Sequence, residues 1–340
     1  MIMKITDSST LYLGRAEELL SKLLPDGRVI VITDANIDRY YPHLVRGYEH
    51  IIIGGGEANK SLQSVATIYD RLMSMGADRS TFILGIGGGI VTDIAGFVAS
   101  TYMRGLDFGF VSTTLLGQVD ASIGGKNGVN VADYKNMVGT FSHPRFVISD
   151  VDMLRTLPLR ELRAGMAEAV KSAIIGSADL FDYIETYASE ELYANMDVVS
   201  HIVEESVAVK SAIVAADERE GGVRRVLNLG HTLGHAIEKL THNLNHGESV
   251  AVGMSLISHA AVQRGALAES EAQRIDNLLC KLGFNITPPM PVAQILREVR
   301  YDKKKHDNIL RVVFPERIGS CRVEKIAMDE FEKLMVGSIN

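Results

Sequence analysis

The chain has 340 residues, with 35 Lys and Arg against 42 Asp and Glu for a formal charge of −7, and 46% of it is hydrophobic. That length suits two domains or one large one, and the composition is that of an ordinary soluble globular protein. The acidic balance argues against nucleic acid as the main partner, because a phosphate backbone needs a basic face.

The N-terminal "MIMKITDSSTLYLG" has no basic head followed by an apolar core, so no secretory signal is expected. "RVIVITD" is a β-branched run ending at Asp34, and "HIIIGGGE" is a second one ending in glycines. "SLQSVATIYDRLMSMG" carries Leu62, Val65, Ile68, Leu72 and Met75 at helical spacing and stops at Gly76. "FILGIGGGIVTDIAGFVAS" is nearly long enough to span a bilayer, but Asp93 lies inside it and Gly85, Gly87, Gly88 and Gly89 crowd its first half. A buried strand, a tight turn and a buried helix explain it better. "DFGFVST" and "RFVISD" are further strands. Strands alternating with helices imply a Rossmann-like parallel sheet covered on both faces, with ligands outside the carboxyl ends of the strands.

From about Pro158 helical patterns take over. "PLRELRAGMAEAVKSAIIG", "LNLGHTLGHAIEKL" and "ESVAVGMSLISHAAVQRG" read as helices, "GFNITPPMP" as a connection, and "ILRVVFPERIGSCRVEKI" as a short hairpin. The expected division is an α/β domain over 1–158 and a mostly helical domain over 159–340. Cys280 and Cys321 have no metal-ligand spacing and make no disulfide framework, which favours free thiols in a reducing cytoplasm.

Several stretches carry candidate chemistry. In "GIGGGI" Ile90 stands where a dinucleotide fingerprint needs its third glycine, so that fingerprint is not met. Glycines between a strand and a helix still leave backbone N–H groups able to meet a phosphate; a plain tight turn is the alternative. "STTLLGQVDASIGGKNGVNVADYKNMVG" is rich in small and polar residues around Lys126 and Lys135, and suits a loop wrapping a polar ligand or a solvated surface loop. In "AEAVK", Glu168 and Lys171 share one helix face, as a surface ion pair or as part of a site. His231, His235, His242 and His246 lie close together in sequence. His231 and His235 are i and i+4, a spacing with which one helix face can bind zinc. Thr232 occupies the place where a zinc protease has its Glu, so a hydrolase would lack its general base.

Taken in order, these segments resemble the 3-dehydroquinate synthase family. The resemblance rests on "GGGE..K" (54–60), "GGGIVTDIAGFVASTYMRG" (87–105), "TTLLGQVDASIGGKNGVN" (113–130), "KNMVGTF" (135–141), "TLP" (156–158), "AEAVK" (167–171), "DERE" (217–220), "LNLGHTLGHAIE" (227–238) and "HGESVAVGM" (246–254). The usual family loop reads "VDSSVGGK"; here Ala121 and Ile123 differ, and neither change removes a functional group. The resemblance implies a carbon–oxygen lyase of the shikimate pathway of aromatic amino acid and chorismate biosynthesis. Its substrate is a small sugar phosphate, 3-deoxy-D-arabino-heptulosonate 7-phosphate, and its products are 3-dehydroquinate and phosphate.

The family's cofactors are NAD, used catalytically, and a divalent metal, Zn2+ or Co2+. By motif, the metal ligands map onto Glu168, His231 and His246, leaving His235 near the substrate. NAD contacts map onto Asp34, Asn36, Glu57, Lys60, Gly88, Gly89, Asp93, Thr113, Thr114, Lys126, Lys135 and Thr156. Catalytic roles map onto Lys126, Lys171, Lys210, Arg224, Asn228 and His235. Substrate binding maps onto Arg104, Asp120, Lys135 and Asn136, with Lys303 or Lys304 of "YDKKKHD" adding a further cation and Lys305 also in play. A substrate with a carboxylate and a phosphate needs such a nest of Lys and Arg in an acidic protein. A cytoplasmic homodimer with no membrane or nucleic-acid partner is the family expectation. The alternatives are another sugar-phosphate cyclase and a polyol dehydrogenase of the same fold. Arg224 and His235 weigh against the first, and the lysine cluster against the second. A binding protein without catalysis would have no use for a metal triad beside a cationic nest.

Overall fold

A computed structural model describes residues 1–132, 134–241, 243–303 and 308–337. The chain forms two compact units, Met1–Pro158 and Leu159–Asn340.

The strands of the first unit are β1 (Ile2–Thr6), β2 (Ser9–Leu13), β3 (Val29–Asp34), β4 (Glu49–Ile53), β5 (Phe82–Gly87), β6 (Phe108–Ser112), β7 (Lys126–Val131), β8 (Tyr134–Phe141) and β9 (Phe146–Ser149). Seven make one sheet in the order β1-β2-β9-β6-β5-β3-β4. Every pairing in it is parallel except β1 with β2. Ile30, Val31 and Ile32 are fully buried, as are Ile83 and Leu84. A strand covered on both faces has no polar side to show, which is why these segments read as unbroken apolar runs. The helices are α1 (Ala16–Leu23), α2 (Ala35–Tyr40), α3 (Leu62–Ser74) and α4 (Gly89–Thr101). The chain goes outward from β3 to β4, then returns to β5 on the other side of β3. That reversal leaves a crevice at the carboxyl ends of β3 and β5, where α/β sheets bind ligands. The long apolar run is divided between β5 and α4, and no described helix is long and apolar enough to cross a membrane.

Two features differ from the sequence reading. β1 and β2 were not expected. The segment after β6 is also more regular than a loop: residues Gly117–Ala121 make a π-helical turn, and β7 and β8 pair as an antiparallel hairpin. The glycines that suggest a loop are spacers in this ladder. Gly128 pairs with Gly139, and a Cβ on Gly128 would lie 2.8 Å from the Val138 carbonyl oxygen. The hairpin packs β7 against α4.

The second unit contains α5 (Leu159–Gly176), α6 (Ala178–Tyr187), α7 (Met196–Ala216), α8 (His231–Leu240), α9 (His246–Gln263), α10 (Glu269–Lys281), α11 (Val292–Lys303), a hairpin of β10 (Ile309–Arg317) and β11 (Ser320–Ala327), and α12 (Met328–Gly337). α5 and α9 are buried over most of their length and pack on each other. α8 begins later than its apolar pattern suggests. Val223–Asn228 form a 3-10 turn, Gly230 is left-handed (φ 76°), and the α-helix starts at His231. α9 starts in a capping box, with Asn245 and Glu248 satisfying each other's backbone N–H groups. Gly247 beside it allows a close approach to α5: a Cβ there would lie 2.4 Å from Ala164 Cα. Ala164 is one turn before Glu168 on α5, so this contact brings the start of α9 to the metal-ligand candidates.

Candidate functional site

Glu168, His231 and His246 come together from α5, α8 and α9, each offering a ligand atom within 4.8 Å of the others. Glu168 Oε1 is 3.6 Å from His231 Nε2 and 3.4 Å from His246 Nε2. Glu168 is fully buried, and no hydrogen bond satisfies its Oε1. A buried carboxylate oxygen facing two imidazole nitrogens is a donor set that fits a divalent cation. Three N/O ligands of this kind leave open positions, as a catalytic zinc requires.

The surroundings fix the ligands. His231 Nδ1 lies 3.0 Å from the Leu229 carbonyl oxygen, which can only accept. Nδ1 therefore carries the proton and Nε2 keeps its lone pair for a metal. His246 Nδ1 faces Glu238 Oε2 at 3.5 Å, the carboxylate–histidine arrangement that orients a metal ligand. Burial, helped by Lys171, pushes the His231 imidazole down to about 3. Burial also disfavours charge on His246, but the carboxylates of Glu168 and Glu238 win and push it up to about 9. Burial alone would raise the Glu168 carboxyl; the Lys171 ammonium and the two imidazoles outweigh it and hold it well below its usual range. His235 shares a helix face with His231, with ring centroids 5.2 Å apart, yet it is exposed and outside this donor group. The i, i+4 pair is therefore not the pair that converges on the carboxylate.

Buried cations lie on the helix that carries Glu168 and on elements packed against it. Lys171, one turn after Glu168, pairs with Glu168 Oε2 and is 1% exposed. Lys210 on α7 is 6% exposed, and Arg224 in the 3-10 turn is 2% exposed. α5, α7 and that turn pack on one another. Asn228 ends the turn and donates to Glu220 Oε1 at 2.7 Å. Glu220 and Glu238 are two acidic residues that the sequence analysis does not single out. Glu238 does carry one signal, since it follows His235 by three and His231 by seven on the same face of α8. Lys303 is the last residue of α11, while Lys304, Lys305 and His242 lie outside the described residues.

In the first unit the cofactor candidates gather at the carboxyl ends of the strands. Asp34 ends β3 and caps α2, accepting from Asn36 N at 2.8 Å and Ile37 N at 3.2 Å. Gly88 and Gly89 begin α4, whose cap makes no side-chain hydrogen bond, so its backbone N–H groups suit a phosphate. Thr113 and Thr114 follow β6, with Thr113 N bonded to Gly87 O. Lys60 is buried and spans Asp93 Oδ2 at 2.5 Å and Asn136 Oδ1 at 2.6 Å. Asn130 donates to Glu57 Oε1 at 2.8 Å, and Lys135 Nζ is 3.9 Å from the same oxygen. Lys135 and Asn136, given substrate roles by the resemblance, are thus tied here to three of the NAD candidates. Thr156 is exposed and shares a hydrogen bond with Tyr41 OH at 2.9 Å. Lys126 opens β7 with its side chain exposed, and Asp120 sits in the π-helical turn. Arg104 is exposed and left-handed at φ 73°, directly after Met103 at φ 49°.

Known proteins share this organisation. The family model described as 3-dehydroquinate synthase N-terminal matches residues 50–164, and the one described as 3-dehydroquinate synthase C-terminal matches 165–305. A 3-dehydroquinate synthase of Laribacter hongkongensis is 39% identical over 96% of this chain and 94% of its own length. Another, from a Picosynechococcus species, is 43% identical over 80% of this chain and 76% of its own. A solved structure of 2-epi-5-epi-valiolone synthase from Streptomyces hygroscopicus, with NAD+ and Zn2+ bound, superposes with a TM-score of 0.87 at 28% identity, covering 98% of this chain and 97% of that one. With both family models matched in order and curated relatives aligned over most of its length, the chain belongs to the 3-dehydroquinate synthase family.

Proposed function

We propose that the chain converts 3-deoxy-D-arabino-heptulosonate 7-phosphate to 3-dehydroquinate and inorganic phosphate, as the shikimate-pathway step of its family. The observation that carries this reading is the Glu168–His231–His246 donor set with the buried cations Lys171, Lys210 and Arg224 on its own and neighbouring elements. A polyol dehydrogenase needs the metal but has no anion to neutralise. On this reading the first unit serves NAD and part of the substrate, and the second serves the metal and the rest of the substrate.

Glu168, His231 and His246 would hold Zn2+ or Co2+, both of which suit such N/O ligands. Such a metal would supply a Lewis acid for a substrate hydroxyl that is to be oxidised. NAD, when bound, would supply the oxidant for that carbon and the hydride for the later reduction. Oxidation creates a ketone, and the ketone acidifies the neighbouring C–H enough for phosphate to be eliminated. The leaving phosphate takes that proton itself, so no further strong base is needed; reduction, ring opening and aldol closure follow. Lys171, Lys210 and Arg224 bind the anionic ends and the charge that develops. Asn228 and His235 orient the hydroxyls, and Lys303 or Lys304 adds a cation. In the first unit Arg104, Asp120, Lys126, Lys135 and Asn136 carry the substrate roles, Lys126 and Lys135 also serving NAD. Asp34, Asn36, Glu57, Lys60, Gly88, Gly89, Asp93, Thr113, Thr114 and Thr156 serve NAD. A cytoplasmic homodimer completes the reading; the exposed free thiol of Cys280 fits a reducing compartment.

The test follows phosphate and NADH in one cuvette with trace NAD, zinc and the heptulosonate phosphate, then identifies the product. Phosphate released in many-fold excess over NAD, with flat NADH absorbance and 3-dehydroquinate formed, is the expected result. NADH accumulating one for one with substrate loss would mean a dehydrogenase. Turnover only with another sugar phosphate would mean a different cyclase of the same fold.

A further inference from the structure

We infer that Asp217 is a positioning residue for Arg224: its carboxylate holds the loop from which the buried guanidinium enters the second unit. The inference rests on the reading of Arg224 as a substrate-binding cation. Asp217 is anchored at the end of α7, where its backbone N–H bonds to Ile213 O at 3.1 Å and Val214 O at 3.2 Å. Its side chain turns away from that helix and toward the following loop. Oδ1 accepts from Gly221 N at 2.9 Å, and Oδ2 accepts from Gly222 N at 2.6 Å and Arg224 N at 3.0 Å.

Most of the loop is open to solvent. Glu218, Arg219, Gly221, Gly222 and Val223 are exposed. Glu220 is left-handed at φ 59°, and Gly222 sits at φ −141°, ψ −104°, outside the regular regions. Gly222 is also the cap residue of the turn carrying Arg224 and Asn228, and it makes no side-chain cap hydrogen bond. The Asp217 carboxylate takes over that capping, collecting three N–H groups as an anion collects a nest of amides. The Arg224 guanidinium then donates back to the Glu218 carbonyl inside the same loop. The free groups at the end of α7 are carbonyl oxygens, which a carboxylate cannot bond, and all three Asp217 side-chain bonds run forward into the loop.

The bonds from Gly222, then burial working against them, then those from Arg224 and Gly221, leave the Asp217 carboxyl below its usual range. The carboxylate is therefore ionised at neutral pH. Asp217→Asn keeps the size but removes the charge and replaces one acceptor by a donor facing an N–H.

The test is a double-mutant cycle with Arg224→Ala, in the full chain with metal and NAD. Asp217→Asn alone should raise KM for the heptulosonate phosphate about tenfold with a smaller change in kcat, the size expected when a charged hydrogen bond is misplaced. KM for NAD and bound metal should stay the same. In the Arg224→Ala background Asp217→Asn should raise KM no further, because the group it positions is gone. Asp217→Glu, which keeps the charge, should restore part of the loss. Equal effects in both backgrounds, or an unchanged KM in Asp217→Asn, would overturn the inference. An unchanged KM in Arg224→Ala alone would instead remove the substrate role of Arg224, and this inference with it. Should Asp217→Asn fail to fold, Asp217→Ser, which keeps one acceptor, carries the same cycle.

Discussion

Replacing Glu168 by Gln removes one negative charge from a position that no water reaches. The side chain keeps its shape, so the effect is electrostatic. Two consequences follow, and they can be measured apart. First, the donor set loses its only anion, and Oε1 or its replacement no longer matches a dication. Metal affinity should fall by more than the roughly 10–100-fold typical of losing an outer-shell partner. Second, Lys171, 1% exposed, loses the carboxylate it pairs with. Breaking one side of a buried ion pair costs about 3–5 kcal/mol. At about 2–4 °C per kcal/mol for a unit of this size, the metal-free protein should melt about 6–20 °C lower. The assays are metal content after dialysis, by mass spectrometry, and calorimetry of the metal-free protein. Glu168→Gln combined with Lys171→Met removes both buried charges. The double variant should recover most of the melting temperature without recovering the metal. A Glu168→Gln variant with full metal content after dialysis refutes the ligand assignment. An unchanged melting temperature in the metal-free protein refutes the account of Lys171.

Other expectations are briefer. His246→Ala and His231→Ala should lose metal and activity together, whereas His235→Ala should lose activity and keep the metal; the reverse pattern on metal analysis would sink the assignment. Lys126→Ala and Arg224→Ala should each weaken binding of a substrate analogue by about 2–4 kcal/mol, as titration calorimetry would reveal, and Arg224→Ala should leave NAD affinity nearly unchanged. His246, pushed up to about 9 in the metal-free protein, is protonated at pH 7.5, while His231, pushed down to about 3, is neutral. Metal uptake must displace the His246 proton, so about one proton should be released per metal bound at pH 7.5, with affinity rising about tenfold per pH unit up to about pH 9. Proton release that does not fall off above pH 9, read in weak buffer, would contradict that. Without metal the sign is opposite: charged His246 stabilises the fold fully below pH 6.5, and that contribution is lost as pH rises through about 9.

The sequence made some of this visible for physical reasons. Parallel strands covered on both faces leave continuous apolar runs, so β3, β5, β6 and β9 could be read directly. The helix α5 could be read from Pro158 to Gly176 for the same kind of reason, a start signal and a stop signal around a periodic pattern. β1 and β2 were missed because five-residue strands with mixed burial offer too short a pattern. The hairpin β7–β8 was missed because glycine and asparagine argue for loops, while here Gly128 and Gly139 are small so that two strands can meet. The metal group shows a different limit. Helical spacing joins His231 to His235, but coordination needs atoms from three helices, and no local period connects Glu168 to His246. The family resemblance supplied that pairing where spacing could not. Asp217 opens the motif "DERE" (217–220), but neither that motif nor helical spacing says what its side chain does. Its role depends on accepting from three backbone N–H groups, and backbone groups carry no residue identity for a sequence pattern to record. Residues that act by holding the main chain of a site are therefore hidden from reasoning on side-chain chemistry, and they emerge only when each hydrogen bond of a buried functional group is traced to its partner.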